Sequence, residues 1–120
     1  MIKAYKTTVS SVRKLQNSNM DICVINDKEV LVPKDLFQEK MDVIYFDDGS
    51  LIPVIEDYLP YFKLLGKIPS TMTRLLVRPI KLGKFVSHGL LIPVDVCFKD
   101  CPPIGGLQDR EDVTEILNII

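Results

Sequence analysis

Short runs of β-branched and apolar residues, each closed by turn chemistry, recur along this chain and point away from a helical bundle. Residues 21–25 and 29–33 are two such runs, and Asn26-Asp27 between them is the chemistry of a hairpin turn. Residues 42–46 (Asp-Val-Ile-Tyr-Phe) predict a further strand, closed by Asp47-Asp48-Gly49-Ser50. Residues 4–15, rich in Thr, Val and Ser, predict β structure at the start of the chain. Residues 34–39 are too short for a free-standing helix and predict a turn. Residues 74–80 and 89–94 read as two more strands, the second buried and ending near Pro93. In residues 55–65, Ile55, Tyr58, Leu59, Phe62 and Leu65 recur at helical spacing, but Pro60 lacks an amide hydrogen, which predicts a short or broken helix. Residues 109–120 place Val113, Ile116, Leu117 and Ile120 on one face of a short helix. Five to six short strands with few helices predict an all-β chain, either a closed or half-closed barrel or a sandwich. Pattern alone does not choose between these.

The chain's 120 residues suffice for one hydrophobic core. No apolar run approaches the roughly 20 residues of a membrane helix, and Met1-Ile2-Lys3-Ala4-Tyr5-Lys6 lacks the apolar centre of a secretory signal. A cytoplasmic location and no membrane partner are the expectations. Cys23, Cys97 and Cys101 are odd in number and irregular in spacing, so they are no disulfide framework. They read as small buried hydrophobes. Formal net charge is -1, yet between Leu59 and Val94 there is no Asp or Glu. That window holds Lys63, Lys67, Arg74, Arg78, Lys81, Lys84 and His88, a local basic stretch suited to an anion.

The constellations of an enzyme are missing from the sequence. There is no Gly-rich phosphate loop and no nucleophile elbow. One histidine excludes the two-histidine metal motifs. Lys40-Met41-Asp42-Val43 starts like a Lys-x-Asp-Gly nucleotidyl-transfer motif, but Val43 stands where glycine is needed. The pairs Asp47-Asp48 and Glu56-Asp57 read as solvated turn and helix-start acids rather than metal ligands. No catalytic residue, no metal site and no cofactor are expected.

Residues 74–93 run Arg-Leu-Leu-Val-Arg-Pro-Ile-Lys-Leu-Gly-Lys-Phe-Val-Ser-His-Gly-Leu-Leu-Ile-Pro. This resembles the segment Arg-x-x-x-Ile-Lys-Leu-Arg-Gly-x-x-Ser-Gln-Gly-Leu-x-x-Pro of the N-terminal oligonucleotide-binding (OB) domain of Deinococcus-type, template-dependent RNA ligases. Val43-Ile44-Tyr45-Phe46 with Asp47 and Ser50-Leu51-Ile52-Pro53 resembles the same family's strand and exit. Val12-Arg13-Lys14 fits its first hairpins, and residues 111–117 (Glu-Asp-Val-Thr-Glu-Ile-Leu) resemble its stretch leading to the catalytic domain. Leu82-Gly83-Lys84 inverts the family's Arg-Gly order, and His88 replaces its Gln.

The resemblance implies an OB-fold-like barrel of five to six strands over residues 1–98, with residues 99–120 as a linker and short C-terminal helix. It implies a non-catalytic domain that holds an RNA or RNA-containing duplex near a nick. Its partner would be a nucleotidyltransferase domain in cis or trans. Arg74, Arg78, Lys81 and Lys84 are the expected phosphate contacts, with Ser87 and His88 beside them and Phe85 stacking on a base or ribose. The competing expectation is a free-standing protein–protein interaction module. In that case residues 113–120 would meet a partner or a second copy, giving a weak homo-oligomer.

Overall fold

The computed structural model describes residues 2–100 and 106–120. Its frame is one antiparallel sheet built from β1 (Ala4–Lys14), β2 (Met20–Ile25), β3 (Lys28–Pro33), β4 (Asp42–Phe46) and a strand at Leu90–Pro93. Between the last two lie β5 (Leu51–Pro53), β6 (Arg74–Leu76), β7 (Ile80–Leu82) and β8 (Phe85–Ser87), so the Leu90–Pro93 strand is β9. The order across the five-stranded sheet is β3-β2-β1-β4-β9.

The length of β1 makes the sheet curl. Ala4–Thr8 pairs with β4, whereas Val9–Lys14 pairs with β2, and the register shifts between Val9 and Ser11. A bulge at such a partner change bends the strand and increases its twist. The predicted hairpin forms β2 and β3, with Ile25 opposite Lys28 and Asn26 in the left-handed region at φ 49°.

β4 shows why a continuous apolar run was needed there. Val43 and Tyr45 face a cluster with Val9, Cys23, Ile25, Val30, Val32, Phe37 and Leu91. Ile44 and Phe46 face the opposite cluster, with Ile52, Phe62, Leu75, Leu90 and Ile92. A strand covered on both faces has no solvent side to carry polar alternation.

The broken helix at Pro60 is a 3-10 segment, Glu56–Leu65, whose buried residues are Tyr58, Phe62 and Leu65; Ile55 and Leu59 are exposed. One helical turn, α1 (Val94–Cys97), follows β9. Two expectations are corrected. Residues 74–80 form two strands, not one: β6 pairs with β5 and β7 with β8, and between them Pro79 has no amide hydrogen to offer. Residues 109–120 form turns rather than a helix, with Asn118 left-handed at φ 58°.

This tail packs back on the barrel. Tyr5 bridges Asp112 along the edge of β1, and Leu51 and Ile120 exchange backbone hydrogen bonds. Val113 and Ile119 are buried in the core, whereas Ile116 and Ile120 face solvent. Among the described residues no helix is long and apolar enough to cross a membrane. Cys101 and the prolines after it lie outside the described residues.

Candidate nucleic-acid interface

The basic stretch is split by its own packing. β7 and β8 form a hairpin around Gly83, which is left-handed at φ 61°. Its tip carries Lys81 and Lys84 exposed, and neither joins an ion pair among the described residues. Phe85 is half-buried. Ser87 is fully buried, and its Oγ accepts the Leu31 amide at 2.8 Å. That bond fastens the hairpin to β3, the edge strand, whose free amides would otherwise need water.

His88 follows the hairpin with its side chain largely exposed, but its position is fixed by Asp48. The Asp48 Oδ2 lies 2.6 Å from His88 Nδ1, and Oδ1 accepts the Gly89 amide at 2.8 Å. The Tyr45 hydroxyl donates to the His88 carbonyl at 3.4 Å. Burial, reinforced by Asp47, pushes the Tyr45 phenol well above its usual range, so it remains a neutral donor.

His88 and Phe85 line a cleft of about 510 Å³. Asp27, Lys28, Glu29, Tyr45, Asp47, Asp48 and Val86 also line it. Lys28 Nζ lies 4.6 Å from the centre of the Tyr45 ring, within cation–π range.

Arg74 and Arg78 each hydrogen-bond backbone carbonyls. Arg74 Nη1 donates to the Leu51 carbonyl at 3.2 Å and to the Asn118 carbonyl at 2.8 Å, joining β5 to the tail. Arg78 Nη2 donates to the Leu65 carbonyl at 3.1 Å, at the end of the 3-10 segment, where carbonyls lack intrahelical partners. Of the seven expected contacts, Lys81, Lys84, Phe85 and Ser87 share one hairpin, with His88 directly after it. Arg74 lies on β6, and Arg78 follows it outside the hairpin.

Lys28, Tyr45 and Asp48 were missed from sequence. Asp48 and His88 are separated by 40 positions, and the only local signal was the turn character of Asp47-Asp48-Gly49-Ser50. The Cys23 and Cys97 thiols are no reactive alternative. Burial pushes Cys23 up to about 12, and burial outweighs a Tyr58 hydrogen bond to push Cys97 up to about 12. Among the described residues no group of three or more His, Cys, Asp or Glu is placed to hold a metal ion.

A curled antiparallel sheet closed against a hairpin defines an OB-like β-barrel. Solved structures of an RNA ligase from Naegleria gruberi contain the same fold. A variant bound to AMP and manganese matches at TM-score 0.76 and 21% identity, over 100% of this chain and 35% of that one. A variant with ATP and manganese matches at 0.75 and 24%, and the ligase with pyrophosphate at 0.75 and 23%, with the same coverage. The chain thus spans about a third of the length of the ligases it resembles. No protein-family model and no curated protein matches it.

Proposed function

We propose that this chain is a non-catalytic, RNA-ligase-related OB domain that holds an RNA or RNA-containing duplex beside a nick. A nucleotidyltransferase domain, in cis or in trans, would carry the chemistry. The observation that carries this reading is the fold match, which covers the whole of this chain and about a third of an RNA ligase. The sequence resemblance of residues 74–93 to the Deinococcus-type ligases adds to it independently.

In this proposal Lys81 and Lys84 meet phosphates from the hairpin tip, and Phe85 and His88 meet the nucleoside. Ser87 holds the hairpin in place from beneath, and Arg74 and Arg78 secure the elements around it. Two uncommitted lysines on a chain of net charge -1 give modest, strongly salt-dependent affinity. The direct test is a salt titration of binding to a nicked RNA duplex, run beside an incubation with labelled ATP. Binding that weakens as salt rises, with no covalent adenylate, supports the proposal. Binding indifferent to salt, or an adenylated chain, refutes it.

One observation favours a second role for another face. Ile55, Ile116 and Ile120 are exposed, and Ile55 and Ile116 border a groove with Val96, Phe98 and Leu117 that Asp57, Lys99 and Asp100 also line. A protein partner, the catalytic domain included, would cover this face. A second copy covering it would instead make a weak homo-oligomer. Dimerisation that disappears in Ile116→Lys would favour the second copy.

A further inference from the structure

The cleft beside His88 presents acceptors far more than donors. Asp27, Glu29, Asp47 and Asp48 line it, against the single ammonium of Lys28. Some of these acids are already engaged. Glu29 pairs with Arg13, and Asp47 Oδ1 accepts the Asp48 amide at 3.0 Å. The carboxylates that line the cleft still disfavour a phosphate within it. They favour an uncharged unit that brings its own hydrogen-bond donors.

His88 is prepared for such a unit. An ionised carboxylate only accepts, so whenever the ring carries a single hydrogen the 2.6 Å contact with Asp48 assigns it to Nδ1. The lone pair on Nε2 is then the free acceptor. The ring has little freedom to drift, because Asp48 also grips the next amide and Gly89 is seated against Tyr45. Phe85 and Val86 supply apolar surface for a base or ribose. RNA differs from DNA by one extra donor and acceptor, the 2′-hydroxyl.

We propose that this cleft receives a ribonucleoside unit of the bound strand, and that His88 Nε2 accepts its 2′-hydroxyl, making the chain selective for RNA over DNA. This rests on the nucleic-acid reading above and adds the residue that distinguishes the sugar. Phosphates flanking the unit stay outside, toward Lys81 and Lys84. Asp48 is a positioning residue, acting through the imidazole.

The test compares two nicked duplexes of one sequence, all-RNA and 2′-fluoro RNA. The fluoro sugar keeps the A-form pucker but cannot donate a hydrogen bond. Wild type is expected to bind RNA roughly five- to tenfold more tightly, the worth of one lost hydrogen bond. His88→Phe should bind RNA no better than it binds 2′-fluoro RNA, and its affinity for the latter should stay within about twofold of wild type, which checks folding and the phosphate contacts. His88→Gln, which offers an amide oxygen, should keep a preference for RNA. Equal, measurable binding of both duplexes by wild type, or a preference that survives in His88→Phe, overturns the sugar-reading role alone. Absence of binding to either duplex overturns the nucleic-acid reading and this inference with it.

Discussion

Gly89 is seated against the ring of Tyr45 so closely that a Cβ on it would fall 2.3 Å from Tyr45 Cε2. Its φ of +86° adds a second demand that only glycine meets without strain. Tyr45 is buried in β4 and cannot yield. Gly89→Ala is therefore expected to cost about 2–4 kcal/mol of stability, read as a lowered urea midpoint. It should also displace His88, so the RNA preference should fall even under conditions where the variant is folded.

Arg74 and the hairpin lysines carry like charge, yet their removal should have opposite signatures. Arg74→Met removes the guanidinium donor from the Leu51 and Asn118 carbonyls, and Leu51 keeps only the Ile120 amide. The expected loss is about 1–2 kcal/mol, seen as faster hydrogen exchange at the Leu51 and Ile120 amides, with the salt slope of binding unchanged. Lys81→Gln and Lys84→Gln should each lower that slope by about one and leave the thermal midpoint where it was. A change in slope from Arg74→Met comparable to that from the lysines would contradict this division.

Asp21 makes the fold sensitive to acid. It is fully buried in β2, and burial alone would raise its pKa. The Asp35 amide, donating to Oδ2 at 3.0 Å, and the Lys14 ammonium, at 2.9 Å from the same oxygen, reverse the sign and hold the carboxyl below its ordinary value near 3.8. A depressed folded-state pKa contributes stability above the unfolded value and loses it as pH falls through the folded one. Urea midpoints should therefore drop below about pH 4. Asp21→Asn should be about 1–3 kcal/mol less stable at pH 6, with a flatter acid limb.

The sheet was legible because its signals are local. Asn26-Asp27 marked a hairpin whose strands each begin one residue earlier than predicted, and Pro60 marked a helix that could not become regular α-helix. What escaped depended on distant partners. Residues 74–80 read as one strand, but β6 takes β5 as its partner and β7 takes β8. The apolar spacing of Val113, Ile116, Leu117 and Ile120 suited a helix, but the tail pairs with β1 and Leu51, burying Val113 and Ile119 and exposing Ile116.

The same contrast governs the candidate site. A run free of acids drew attention to the β7–β8 hairpin, since unopposed lysines at a turn are visible in sequence. It did not show that Arg74 and Arg78 would be taken by backbone carbonyls, or that an acid from the β4–β5 turn would hold the histidine. Side-chain chemistry is printed in the sequence, but the partner that occupies it is set by the fold.

Amide chemical-shift mapping during titration with a nicked RNA duplex tests the interface most directly. The expected shifts cluster at Lys28, Lys84, Phe85, Val86 and His88, with smaller changes at Lys81. Shifts confined to the face around Ile55 and Ile116, or no shifts at duplex concentrations that saturate an RNA-ligase OB domain, would contradict it.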